Sequence, residues 1–216
     1  MRYNTLLLDL DGTLTDPSEG ITKCVDYALK HKGIITEDIS SLKRFIGPPL
    51  IGAFMGEYGM TEEEAWETLN KYRERFGEIG WRENEVYEGI SEALCRLKSM
   101  GVRLALATSK PELYAERIVK HFGLAEHMVF IGGADMEETR SDKAAVIRYV
   151  LDNLGVDDKS RVAMVGDRKH DILGAKSEGI SSIGILWGFG DREELEAAGA
   201  THIAEDIEEF IKIVTE

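Results

Sequence analysis

Short apolar runs at residues 5–8, 102–107, 129–131, 162–165 and 182–185 are separated by stretches with helical spacing. That alternation leaves few folds open. Strands joined through helices lie parallel, with right-handed crossovers and helices on the faces of one sheet. The predicted fold is therefore α/β, a Rossmann-like parallel sheet sandwiched by helices. The first run, Thr5-Leu6-Leu7-Leu8, has no polar interruption, as expected of a strand buried on both faces.

The segment from Ser18 to about Glu78 breaks the pattern. Ile21, Val25, Ala28 and Leu29 share one helical stripe and Ala65, Leu69, Tyr72 and Phe76 another, with no buried strand between. We read it as an insertion entering near Thr15 and leaving near Val86. The predicted organisation is a core of residues 1–15 and 87–216 and a helical cap of residues 16–86.

The strand at 5–8 runs into Asp9-Leu10-Asp11-Gly12-Thr13. Two acids at a strand end cannot both be buried as ions without a cation or a cluster of donors. Asp167, in Val165-Gly166-Asp167, ends another apolar run, and Asp171 follows one helical turn later. Oxygen donors of this kind suit a hard divalent ion. Thr108-Ser109-Lys110-Pro111 offers hydroxyls and N–H groups at the expected start of a helix, a seat for phosphate oxygens, and Lys143 adds a fixed positive charge. In open parallel sheets, ligands gather beyond the carboxyl ends of the strands, where all these residues fall.

Each element has a plainer reading alone: Asp9 and Asp11 as a capped turn, Thr108 and Ser109 as caps of the next helix, Lys143 as a solvated helix residue. Their order in one series favours a site. His170, between Lys169 and Asp171, has no partner histidine at ligand spacing and is read as a surface helix residue. Trp187-Gly188-Phe189-Gly190 lacks the spacing of a dinucleotide fingerprint and is read as a loop packing near the site.

In order, Asp9-Leu10-Asp11-Gly12-Thr13, Ala107-Thr108-Ser109-Lys110, Lys143 and Gly166-Asp167-Arg168-Lys169-His170-Asp171 resemble the haloacid dehalogenase superfamily. The resemblance covers essentially the whole chain and is closest to its phosphoglycolate phosphatase-like and bacterial 5'-nucleotidase-like branch. It implies a magnesium-dependent phosphomonoester hydrolase acting through an aspartyl-phosphate, and the N-terminus, which is unlike a secretion signal, leads us to expect it in the cytoplasm. Asp9 would be the nucleophile, and Asp11 the acid that protonates the leaving alcohol and then activates water. Mg2+ would be held by the Asp9 carboxylate, the Asp11 carbonyl and Asp167, supported by Asp171. Thr108 and Lys143 would bind the transferring phosphoryl group, with Gly12, Thr13, Ser109 and Lys110 lining the substrate. Ser109 stands where relatives often have Asn. In the cap, Lys43 and Arg44 precede a Gly-Pro-Pro turn, and Arg44 is the candidate for specificity. Alternatives from the same motifs are a phosphosugar mutase of the beta-phosphoglucomutase type and a phospho-accepting regulatory protein that does not hydrolyse its phosphoaspartate.

Composition narrows the partners. A formal net charge of -14 disfavours nucleic-acid polymers and anionic membranes, and is compatible with the small-molecule phosphomonoester that the resemblance implies. No segment approaches the ~20 apolar residues of a membrane span, and the N-terminus lacks a secretory pattern. Cys24 and Cys95 lie far apart outside any CxxC spacing and are expected to be reduced and buried. The chain is expected to be a monomer or homodimer.

Overall fold

A computed structural model describes residues 1–216. The chain divides into two compact units, Met1–Thr15 with Val86–Glu216, and Asp16–Glu85. The strands, in chain order, are β1 (Thr5–Leu8), β2 (Thr15–Asp16), β3 (Glu85–Val86), β4 (Arg103–Pro111), β5 (Met128–Ala134), β6 (Val162–Gly166), β7 (Ser181–Ile185) and β8 (His202–Ala204). The helices are α1 (Ser18–His31), α2 (Leu50–Tyr58), α3 (Glu62–Glu78), α4 (Ile90–Ser99), α5 (Glu112–His121), α6 (Lys143–Leu154), α7 (Lys169–Glu178), α8 (Arg192–Ala198) and α9 (Ile207–Thr215).

In the larger unit six strands form one sheet in the order β5-β4-β1-β6-β7-β8, every neighbouring pair parallel. The apolar run of β1 sits at its centre, where Leu8 lies opposite Leu106 on one side and Val165 on the other. All four β1 residues are buried. Leu7, Ala105, Ala107, Val162 and Met164 pack under Val146, Ile147 and Val150 of α6 and Ala175 of α7. Leu6, Leu8, Leu104 and Leu106 alternate with them and are fully buried too, so both faces are covered. This matches the fold class expected from the alternation.

Two expectations are corrected. β4 does not stop at residue 107 but continues to Pro111, and α5 begins only at Glu112, with no side-chain cap at its start. Proline disfavours a helical conformation in the residue before it, which keeps Lys110 extended. The Thr108 hydroxyl accepts from the Lys110 N–H at 3.2 Å, so neither Thr108 nor Ser109 caps α5. Cys95 is exposed while Cys24 is buried, and neither is in a disulfide. The α4 stripe of Ile90, Ala93, Leu94 and Leu97 faces inward, and Cys95 lies outside it.

The smaller unit is helical. α1 buries Val25, Ala28 and Leu29 and packs against α3, whose inward residues are Leu69, Tyr72 and Phe76. A capping box between Thr61 and Glu64 starts α3. Arg75 closes the far end on Glu83 at 2.6 Å. No helix of either unit is long and apolar enough to cross a membrane.

Candidate active site

Asp9 is the first residue beyond β1, and its N–H continues the ladder by donating to Val165 O at 2.9 Å. After it the chain turns tightly. The Leu10 carbonyl accepts from the N–H groups of Thr13, Leu14 and Thr15. Gly12 holds φ +83°, a conformation that disfavours a side chain. A Cβ there would also overlap the Asp167 carboxylate. The turn thus needs Gly12 for its backbone and for its closeness to β6.

Asp167 is the first residue beyond β6, the strand beside β1. Asp171 lies in the first turn of α7 and accepts from the Arg168 N–H at 3.1 Å. Carboxylate oxygens of Asp9, Asp167 and Asp171 all lie within 4.8 Å of one another, and all three residues are buried. Lys143, the first residue of α6, reaches this cluster from beyond β5. Its Nζ is 2.9 Å from Asp9 Oδ1, 2.8 Å from Asp171 Oδ1 and 3.1 Å from the Ala107 carbonyl. A second, partly buried pair joins Lys110 Nζ to Asp11 Oδ2 at 2.7 Å.

Burial and charge shift these groups in opposite directions. Burial, then the Asp171 and Asp9 charges, push the Asp167 carboxyl up to about 8. Burial also raises Asp171, to about 6, with Lys143 opposing and Asp9 adding to the rise. Asp11 is raised by burial, against the pull of Lys110. For Lys143, burial alone would lower the ammonium, but Asp171 and Asp9 outweigh it and hold the group above the ordinary lysine range. Such opposed shifts mark a site holding more negative charge than its surroundings can solvate.

These residues fit a divalent cation. The donors are hard carboxylate oxygens. Fully ionised, four carboxylates (Asp9, Asp11, Asp167, Asp171) face two ammonium groups (Lys110, Lys143), an excess of two negative charges. Lys143 is ion-paired to Asp9 Oδ1 and Asp171 Oδ1, while the buried Asp11 Oδ1 lacks a hydrogen-bond partner and is open to a cation or a proton.

The structure thus brings Asp9, Asp11, Gly12, Thr13, Thr108, Lys110, Lys143, Asp167 and Asp171 to the carboxyl ends of adjoining strands, with Thr108 buried and Ser109 half-buried at the end of β4. Arg44 belongs to the other unit. There it pairs with Glu57 at 2.8 Å, donates to Ser41 O and lies over the Phe45 ring. His170 is half-buried on α7. The loop of residues 187–190 packs near the site as expected, and the detail not read from sequence is the Phe189 N–H, which donates to Asp167 Oδ2 at 2.8 Å. The flanking glycines were the available signal, since they permit close backbone approach.

A parallel sheet, helix-covered on both faces, that presents buried aspartates and lysines at its strand ends defines an aspartate-centred α/β enzyme. The family model for haloacid dehalogenase-like hydrolases matches residues 6–185, and the chain belongs to that family. A 5'-nucleotidase of Pseudomonas aeruginosa is 46% identical over 207 residues, 96% of this chain and 93% of the relative. The crystal structure of a predicted phosphatase from Clostridium acetobutylicum superposes with a TM-score of 0.96 at 43% identity, covering 99% of both chains. The tyrosine-protein kinase PtkA of Mycobacterium tuberculosis is 36% identical over 91% of this chain and 66% of its own length. The first two relatives point to a phosphatase. The third is a reminder that one scaffold hosts more than one activity.

Proposed function

We propose that the chain hydrolyses small phosphomonoesters through a covalent phosphoaspartate on Asp9. The observation that carries this reading is the meeting of Asp9, Asp167 and Asp171, with Lys143 paired to Asp9 and Asp171, from three separate stretches of sequence. The Asp9 carboxylate attacks phosphorus, the bond to the ester oxygen breaks, and Asp11 delivers a proton to the departing alkoxide. Asp11 then takes a proton from water as that water attacks the phosphorus, which frees Asp9 and inorganic phosphate. The raised proton affinity of Asp11 suits an acid that must carry a proton near neutral pH.

Lys143 balances charge beside the nucleophile, and the Thr108 hydroxyl, which accepts one bond from the Lys110 N–H, still has its proton to donate to a phosphoryl oxygen. Asp9 and Asp167, with the Asp11 main chain and Asp171 in support, would hold Mg2+. The ion would supply Lewis-acid stabilisation of charge on the phosphoryl oxygens. The larger unit serves as the catalytic core and the helical unit as the cap, with Arg44 as its candidate contact to the non-reacting end of the substrate.

Nucleoside 5'-monophosphates are the substrate class we place first, on the strength of the 46% identical 5'-nucleotidase. Action in the cytoplasm is consistent with two cysteines that form no disulfide. The test is a panel with Mg2+ present: nucleoside 5'-monophosphates, 2-phosphoglycolate, sugar phosphates and a phosphotyrosine peptide, ranked by kcat/KM. A nucleotide should lead. A 5'-monophosphate preference below that for sugar phosphates would reject the assignment, and isomerised sugar phosphate in place of free phosphate would indicate a mutase.

A further inference from the structure

Beyond β7 the chain passes through Leu186-Trp187-Gly188-Phe189-Gly190, and this short loop touches both halves of the acidic centre. The Trp187 indole Nε1–H donates to the Thr13 carbonyl at 3.0 Å, on the turn that carries Asp9 and Asp11. Two residues later the Phe189 N–H donates to Asp167 Oδ2 at 2.8 Å. Gly188, between them, lies so close that a Cβ would overlap both the Gly12 carbonyl and the Asp167 side chain. A Cβ on Gly190 would overlap the Asp167 carbonyl. The indole itself is backed by Phe210 of α9, ring centroids 6.3 Å apart in an edge-on arrangement.

From this geometry we infer that Trp187, with the Gly188-Phe189 backbone, is a positioning clamp that sets the spacing between the Asp9-to-Thr13 turn and Asp167. Besides the β1–β6 ladder, which reaches the Asp9 N–H on Val165 O, those two segments share a long side-chain contact, Thr13 Oγ1 to Asp167 Oδ1 at 3.4 Å. The clamp supplies a hydrogen bond to each and a wedge too narrow for any side chain. It acts through the groups it holds and does not touch the reacting atoms. The inference rests on the magnesium-dependent phosphatase reading above. Misplacing a nucleophile by about 1 Å can cost ~10²-fold in rate, so the cost should fall on kcat more than on KM.

The test uses Trp187→Phe, which keeps the ring on Phe210 and removes the N–H, and Gly188→Ala, which forces the two segments apart. Each is assayed for kcat and KM on an aryl phosphate and for the Mg2+ concentration that gives half the maximal rise in Tm. The indole N–H resonance of Trp187 in the unaltered protein is followed by NMR during the same titration, which needs no variant to fold. Trp187→Phe should lower kcat about tenfold with KM within about twofold, and both variants should need more Mg2+. The Trp187 indole signal should move as Mg2+ is added. Wild-type kcat and Mg2+ response in Trp187→Phe, or a stationary indole signal, would overturn the clamp and leave the phosphatase reading standing. A wild-type protein with no Mg2+ response at all would instead overturn the reading on which the clamp rests.

Discussion

Lys143 shows how much a single buried side chain can be asked to do. Its ammonium group lies among Asp9, Asp171 and the Ala107 carbonyl. Removing one partner from such a cluster leaves buried charge uncompensated, which typically costs about 3–5 kcal/mol. Lys143→Met should therefore destabilise the protein by that amount in urea unfolding, more at pH 8 than at pH 5, where the carboxyls can take up protons. Equal destabilisation at both pH values would mean the lysine acts through packing alone. Asp9→Asn keeps the size and loses the nucleophile; phosphate release should fall at least ~10³-fold, while Tm falls less than in Lys143→Met because the site gives up one of its excess negative charges and Lys143 keeps Asp171. Much of this was legible in residue types, because acids ending apolar runs have few structural uses. The pairing of Lys110 with Asp11 was not legible, since the direction a lysine takes depends on which carboxylate tertiary packing brings near.

At the level of elements, close approach between the β1 turn and β6 explains why glycine is required in places where composition alone says nothing. Gly12→Ala meets two penalties, a positive φ and overlap with Asp167. It should lose most Mg2+-dependent activity and at least ~1 kcal/mol of stability; retention of full activity would show that the turn can relax. Thr61→Ala provides the contrast. Losing the α3 capping box should cost about 1 kcal/mol, read as a lower Tm, with kcat on an aryl phosphate unchanged. Sequence periodicity was enough for the long helices and the buried strands. It missed the extension of β4 through Thr108 to Pro111, because pairing with β5 and the proline decide that stretch. The outward turn of Cys95 was likewise invisible until the inward stripe of α4 was known.

For the molecule as a whole, the charge trapped at the sheet's carboxyl edge couples stability to pH and to metal. A carboxyl raised from an ordinary value near 3.8 to about 8, as for Asp167, binds more protons folded than unfolded across that window. Stability of the metal-free protein should therefore be greatest at low pH within the window and fall as pH rises toward 8. Mg2+ must displace those protons, so its stabilising effect should grow over the same range. At ~100 times its Kd the ion adds about 2.7 kcal/mol, roughly a 5–10 °C rise in Tm for a chain of this size. A metal-free Tm that rises from pH 6 to 8, or a Mg2+ effect that shrinks, would contradict the assignment of excess negative charge. The parallel α/β class was readable from the alternation of strands and helices, whereas the strand order β5-β4-β1-β6-β7-β8 rests on long-range pairing that no local pattern encodes.

The covalent step can be caught directly by mixing Asp11→Asn with 4-nitrophenyl phosphate and Mg2+, quenching in acid and mapping the digested protein by mass spectrometry. Nitrophenolate leaves without an acid, but the second step still needs Asp11 to activate water, so the phosphoenzyme should accumulate. One phosphoryl group should appear on the peptide bearing Asp9, together with a burst of nitrophenolate no larger than the enzyme concentration. Continued turnover with no phosphoryl group on that peptide would show that Asp9 is not the nucleophile.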